Sequence, residues 1–145
     1  MKLLLLLNLG ATLYMVGLIW MVQVVHYPLM DRVSSENFAP FEQDHQRLTT
    51  FVVAPPMLME AATAVALVFM FPKPECRWLL WVALGLLGVA WLTTYAISVP
   101  CHTRLAQGFD AATHARLVIT NWIRTFAWSA RGAIMLYITA SVIKL

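Results

Sequence analysis

The sequence has little charge, few cysteines and none of the short motifs that mark the common soluble enzymes. Only 12% of its 145 residues are charged, whereas a soluble domain carries about 25%. The Lys and Arg residues are scattered singly, so the net charge of +3 does not form the basic cluster that a nucleic-acid partner needs. Glycine-rich nucleotide loops and the HExxH, GxSxG and CxxC motifs are absent. These absences argue against a soluble enzyme of those classes and against a nucleic-acid-binding protein.

Long apolar runs are what the sequence does have. Hydrophobic residues make up 61% of the chain, and four apolar segments are each long enough to cross a bilayer, which takes about 20 residues. We expect one all-α domain over residues 1–145, an integral membrane four-helix antiparallel bundle. Its predicted spans cover about residues 3–25, 45–71, 78–99 and 112–143.

Local signals refine this layout. A short surface helix is expected after Ser34 or Ser35, since serine is a favourable residue before the first turn of a helix. Pro55–Pro56 removes two backbone donors and should kink the second span. Gly85 and Gly88 in the third span are expected to let it approach a neighbouring helix closely.

The positions of Lys and Arg in the short connections predict the orientation. Lys2, Lys73, Arg77 and Lys144 lie at one end of the predicted bundle, and positive residues are retained in the cytoplasm. Arginines also occur at the opposite end, so the count alone does not settle the matter. We predict a multi-pass protein of the bacterial inner membrane with both termini in the cytoplasm.

All histidines fall at the predicted periplasmic end, each at or beside the end of a different helix. They are His26, His45, His102 and His114. At about 100° per residue, each shares a stripe with polar residues of its helix; in the third helix, His102 lies near the stripe of Tyr95 and Ser98. Polar groups in a membrane turn toward the bundle interior. The sequence therefore predicts that the four histidines bind a transition metal or a haem-like macrocycle, with interfacial anchoring as the alternative.

A second polar zone lies deeper in the predicted bundle. Glu60, Asn121 and Arg124 are expected to act in catalysis by orienting an anionic intermediate or an oxygen species, and Trp128 and Arg131 to contact a cofactor. A charge near the bilayer centre costs about 2.5–3.5 kcal/mol on insertion scales, so Glu60 should pair with an arginine. Arg131 is nearer in depth, although the long side chain of Arg124 could also reach. A purely structural pair that holds two helices in register is the alternative.

Two segments carry a resemblance to a known family. Leu117–Arg131 contains Asn and Arg three residues apart in the last span, and Val25-His-Tyr-Pro28 ends the first span. With the four-span layout, they resemble the small membrane proteins that include the anthrone oxygenases, which are implicated in oxidising polycyclic aromatic anthrones with molecular oxygen. The resemblance implies functional roles for His26, Asn121 and Arg124.

Three functions stay open at this point. The leading hypothesis is a small membrane oxidoreductase or oxygenase that acts on an apolar substrate from the lipid at a polar site open to the periplasm. The second is a non-catalytic accessory subunit of a larger membrane complex that ligates or contacts a haem or pigment. The third is a small carrier that uses Glu60 as a proton site and works as an oligomer. The expected partners are membrane lipid, an apolar small molecule, and further copies of the chain or other subunits of a membrane complex, with no nucleic acid.

Overall fold

The computed structural model describes residues 1–72 and 74–143, which form four long helices. They are α1 (Lys2–Met30), α2 (Ser35–Met70), α3 (Arg77–Leu105) and α4 (Ala111–Ile143). Each is long and apolar enough to cross a membrane. The described residues contain no strand, so the all-α prediction is confirmed. Lys73 and Lys144, which contributed to the predicted orientation, lie outside the described residues.

The helices are longer than the predicted spans at the end where the histidines lie. α2 begins at Ser35, so the short surface helix expected there is the first part of α2 itself. Its prolines, Pro40 and Pro55–Pro56, all lie inside this one helix. α4 begins after Asp110, whose carboxylate accepts hydrogen bonds from the Thr113 hydroxyl and from the Thr113 backbone N–H at 3.0 Å. These two bonds hold the pKa of Asp110 below its usual value.

The core consists of three layers stacked along the helices. Each layer combines buried side chains from all four helices. α1 packs against α2 and α4, and α3 packs closely against α4 but less extensively against α2. The first layer includes Leu5 and Phe71, the middle one Met15 and Trp128, and the last one Tyr27. The polar residues described below lie among these layers.

The close helix contact predicted at Gly85 and Gly88 of α3 is wrong. A Cβ atom added at Gly85 or Gly88 would meet nothing within 4 Å. A close approach instead occurs at Gly132 in α4, where an added Cβ would lie 3.2 Å from Cγ2 of Val16 in α1. The small residue therefore brings α4 close to α1, and α3 gains no such contact from its glycines.

Two π-helical turns interrupt α1 and α3, each just before a proline. Val22–His26 precedes Pro28, and Thr94–Ser98 precedes Pro100. Proline has no N–H, and its ring clashes with the carbonyl four residues earlier in a regular α-helix. A widened turn with hydrogen bonds across five residues accommodates the ring. The extra residue also rotates the following part of the helix relative to the part before it.

This rotation decides which side chains point inward. Tyr27 is only 2% exposed, whereas its neighbour His26 is partly exposed. In α3, Ser98 is buried but Tyr95 is 82% exposed. The expectation that Tyr95 shares an inward stripe with Ser98 and His102 is therefore wrong, because a phase of 100° per residue does not hold through a π-helical turn.

Candidate functional site

The inner polar cluster surrounds Glu60, whose side chain has no exposed surface. We call it the Glu60 network; it comprises Asn8, Thr12, Glu60, Thr63, Trp128 and Arg131. Arg131 Nε and the Thr12 hydroxyl each donate to Glu60 Oε1 at 2.7 Å, and Trp128 Nε1 donates to Glu60 Oε2 at 3.0 Å. Of the two arginines considered for the ion pair, the one that forms it is Arg131.

Arg131 also connects this network to the remaining helices. Its Nη1 donates to the backbone carbonyl of Ala83 in α3 at 2.7 Å, and its Nη2 donates to Asn8 Oδ1 in α1 at 3.0 Å. The Asn8 amide in turn donates to the Glu60 carbonyl and to the Thr63 hydroxyl. Every carboxylate oxygen of Glu60 and every guanidinium nitrogen of Arg131 thus has a partner, which is the arrangement of a structural ion pair.

The outer polar cluster surrounds Arg124. We call it the Arg124 network; it comprises Gln23, Tyr27, Glu42, Thr94, His102, Asn121 and Arg124. Glu42, which is fully buried, contacts His102 Nδ1 through Oε1 at 2.6 Å. The other ring nitrogen of His102 lies 3.0 Å from the Tyr27 hydroxyl, which accepts a bond from Arg124 Nη2 at 3.1 Å. A continuous chain of hydrogen bonds therefore joins a carboxylate, an imidazole, a phenol and a guanidinium group.

Arg124 has only neutral partners in the described residues. Besides Tyr27, Nη2 donates to Asn121 Oδ1, and Nη1 donates to the Thr94 hydroxyl at 3.3 Å. The Asn121 amide donates to Gln23 Oε1 at 2.8 Å, which fixes the orientation of the Asn121 side chain. The Nε atom of Arg124 is buried and has no hydrogen-bond partner among the described residues.

A cavity of about 350 Å³ adjoins the Arg124 network and draws its lining from all four helices. Its surface is mostly apolar, with Met15, Met57 and Trp128 among the residues that form it. Its polar lining residues are Tyr27, His45, Gln46, Thr49, Thr50, Thr94, Ser98, His102 and Arg124. Thr50 and Val99 are exposed lining residues, so the cavity reaches the surface between α2 and α3.

The predicted histidine site is only partly assembled. The rings of His26 and His45 stack with centroids 4.4 Å apart, and those of His45 and His102 lie 5.3 Å apart. His114 instead contacts the backbone carbonyl of Tyr27 through Nε2 at 2.9 Å. Within residues 1–72 and 74–143, no group of three or more His, Cys, Asp or Glu side chains is placed to hold a metal ion. Metal or haem binding by these histidines stays a prediction.

The other predicted site residues divide between the two networks. Asn121 and Arg124 lie together in the outer network, while Glu60 and Arg131 lie in the inner one. Trp128 links them, because its ring lines the cavity and its N–H donates to Glu60. The predicted catalytic group of Glu60, Asn121 and Arg124 is therefore not one cluster.

Sequence reasoning assigned no functional role to four residues of the Arg124 network or the cavity lining: Tyr27, Glu42, Gln46 and Ser98. Tyr27 lies in the Val25–Pro28 segment, directly after His26, which was predicted to bind a metal. Glu42 lies one helical turn before His45, and an α2 helix that begins at Ser35 would have placed the two on one face. The sequence placed Ser98 on the inward stripe of His102, but it gave no sign that the buried Ser98 hydroxyl would have no partner among the described residues.

This site can bind an apolar molecule that carries one polar group and can move a proton at its polar end. The cavity supplies the apolar surface, and the chain from Glu42 to Tyr27 supplies the proton path. No protein-family model, no curated protein and no solved structure matches the chain. The geometry of this site is therefore the main guide to the function of the chain.

Proposed function

We propose that the chain spans the bacterial inner membrane as an antiparallel four-helix bundle with both termini in the cytoplasm. Support comes from the core layers: Leu5 near the start of α1 packs in one layer with Phe71, just past the end of α2, whereas Tyr27 near the end of α1 packs with Phe38 near the start of α2. Neighbouring helices that run in opposite directions produce this pattern. The many exposed apolar side chains would then face lipid.

Thiol labelling of spheroplasts tests the orientation. Cys101 is buried and is a poor reporter, so Gln107→Cys in the exposed connection after α3 should report on the periplasmic end. An impermeant maleimide should label Gln107→Cys and leave Cys76 unlabelled until the membrane is permeabilised. Labelling of Cys76 alone would reverse the orientation.

The proposed activity is the oxidation, by molecular oxygen, of an apolar molecule that enters the cavity from the lipid. The observation that carries this proposal is the hydrogen-bonded chain of Glu42, His102 and Tyr27, which ends at a mostly apolar cavity. Such a chain can accept a proton from a bound molecule and pass it to a buried carboxylate. The family resemblance of the segments Val25–Pro28 and Leu117–Arg131 points to the same chemistry.

In the proposed reaction a CH2 group beside an aromatic carbonyl system reacts with O2 to give a C=O group and water. Proton removal leaves an electron-rich anion, which is oxidised as it reduces O2, so the reaction balances with one O2 consumed for each carbonyl formed. Tyr27 would accept the proton while its own proton moves to His102, and His102 would pass a proton to Glu42. Arg124 would stabilise the negative charge that develops on the substrate oxygen, and Asn121 would hold Arg124 in place.

Turnover of anthrone as a probe substrate tests this proposal. The purified full chain in detergent should consume O2 and form anthraquinone in equal amounts, faster than a protein-free control. Tyr27→Phe and His102→Gln should each lower the rate by about 100-fold or more, as expected for the loss of general acid–base catalysis. Tyr95→Phe is the matched control, because it removes the same hydroxyl from a side chain that is 82% exposed.

Two results would overturn the proposed activity. One is a wild-type rate no higher than the protein-free rate. The other is a Tyr27→Phe rate equal to that of Tyr95→Phe, since the hydroxyl of Tyr27 would then have no part in turnover.

A further inference from the structure

We propose that Arg124 Nε and the Ser98 hydroxyl form an anion-binding subsite in the cavity, and that this subsite takes a single charged oxygen, such as the phenolate or enolate of an otherwise apolar ligand. The inference rests on the proposed function, because it requires that the cavity hold a ligand. It adds the chemical class of that ligand and a specificity role for Ser98.

Arg124 carries a buried charge that no carboxylate of the described residues balances by an ion pair. Its side chain is 7% exposed, and its partners Thr94, Tyr27 and Asn121 offer two hydroxyl oxygens and an amide oxygen. No carboxylate of the described residues forms an ion pair with it, and Glu42 reaches it only through His102 and Tyr27. A buried cation without a counter-charge is unfavourable. An anionic ligand oxygen would supply the missing charge.

Ser98 has a hydroxyl without a hydrogen-bond partner among the described residues. This observation is independent of the charge of Arg124. Ser98 is 2% exposed and lines the same cavity as Arg124, yet its Oγ has no partner among the described residues. Other hydroxyls of this helix donate to the backbone carbonyl four residues earlier, as Thr94 does to Ala90 and Thr103 to Val99. A buried hydroxyl without a partner is unfavourable, and a ligand oxygen would satisfy it.

The N–H groups of Arg124 that stay available favour a ligand with one charged oxygen over a carboxylate, which has two. Arginine binds a carboxylate best through two parallel N–H bonds. In Arg124, Nη2 already donates to two acceptors and Nη1 to one, while Nε donates to none of the described residues. Both N–H groups of Nη2 are therefore used, so no parallel pair of free N–H groups is left for a carboxylate. The Nε–H of Arg124 and the O–H of Ser98, on two side chains that line the cavity, are the donors that we assign to a single anionic oxygen.

Binding of 2-naphthol and 2-methoxynaphthalene to the detergent-solubilised full chain tests the subsite. The two probes have the same ring system, but only 2-naphthol can become an oxygen anion. In equilibrium dialysis, 2-naphthol should bind about tenfold more tightly than 2-methoxynaphthalene, a factor typical of a hydrogen bond to a charged group. The bound 2-naphthol should also show the long-wavelength absorption of its phenolate at neutral pH.

Ser98→Ala should remove most of the preference for 2-naphthol and leave the binding of 2-methoxynaphthalene unchanged. Thr139→Val is the matched control, because the Thr139 hydroxyl is likewise buried without a partner in the described residues but lies outside the cavity lining. Thr139→Val should keep the wild-type preference.

The outcomes separate failure of the subsite from failure of the proposed function. Equal binding of both probes, with no effect of Ser98→Ala, would overturn the anion subsite while leaving the cavity as a binding site. If neither probe binds the wild type better than it binds Ala54→Trp, a variant that fills the cavity, the cavity holds no such ligand and the proposed function fails as well.

Discussion

Arg131 and Arg124 lie two turns apart on α4, and both are buried, but their surroundings differ. Each nitrogen of Arg131 has a partner, and a carboxylate balances its charge. Arg124 has neutral partners and an unused Nε, and it lines a cavity. A fully bonded charge contributes to stability, whereas a charge with unmet bonding beside a cavity is suited to a ligand.

This difference fits the lipid environment that we propose for the chain. Apolar surfaces give helices little reason to associate in lipid, so interhelical hydrogen bonds and close packing carry more of the association. The Glu60 network bonds to all four helices at one level. The Arg124 network has its open side toward the cavity. We therefore assign stability mainly to the inner network and function mainly to the outer one.

The largest expected effect is on stability, from Glu60→Gln. Removing one charge leaves Arg131 buried and unpaired, which should cost about 3–5 kcal/mol in the free energy of unfolding. Denaturant unfolding of the full chain in detergent measures it.

A double-mutant cycle identifies the partner of Glu60. Glu60→Gln combined with Arg131→Met should be less destabilising than the sum of the two single changes, because neither charge is then left alone. The same cycle with Arg124→Met should give a coupling energy near zero. Strong coupling of Glu60 to Arg124 instead of Arg131 would contradict the assignment of stability to the inner network.

Filling the cavity should impair function more than stability. Ala54→Trp places a large side chain in the cavity lining and should lower anthrone turnover by about tenfold or more, while overpacking costs about 1–3 kcal/mol of stability. Ala62→Trp, at an exposed position of the same helix, is the control. Equal turnover of the two variants would mean that substrate does not occupy the cavity.

The smallest expected effects come from two threonines, one in each network. Thr12 donates to the Glu60 carboxylate at 2.7 Å, so Thr12→Val should lower the free energy of unfolding by about 1.5–3 kcal/mol. Thr94 donates to the Ala90 carbonyl of its own helix and accepts a longer bond, of 3.3 Å, from Arg124, so Thr94→Val should cost about 1 kcal/mol or less. Thermal unfolding of both variants in one detergent measures the two losses of stability. Equal losses would contradict the assignment of stability mainly to the inner network.

The sequence was sufficient to predict the helical class, the approximate apolar segments and the pairing of Glu60 with an arginine. Depth along the helices even favoured Arg131, because a rise of about 1.5 Å per residue places it nearer to Glu60. These predictions need only the length of a helix and the cost of a charge in an apolar setting.

The outer site could not be predicted in the same way. The π-helical turns before Pro28 and Pro100 change the helical phase. Tyr27 therefore points inward, and Tyr95, which was expected to share the inward stripe of Ser98, points outward. Glu42 fell outside the predicted second span, because α2 was expected to begin at about residue 45 and begins at Ser35 instead. The contact between Glu42 and His102 depends on tertiary packing of α2 and α3, which the pattern of one helix does not contain.

Recording anthrone turnover and thermal unfolding of Arg124→Gln and Arg131→Gln side by side in the same detergent separates the roles of the two networks. We expect Arg131→Gln to unfold at a clearly lower temperature while the molecules that stay folded keep most of their turnover. Arg124→Gln should unfold close to the wild-type temperature and lose turnover. The reverse pattern, with turnover lost on changing Arg131 and stability lost on changing Arg124, would contradict the assignment of stability to the inner network and function to the outer one.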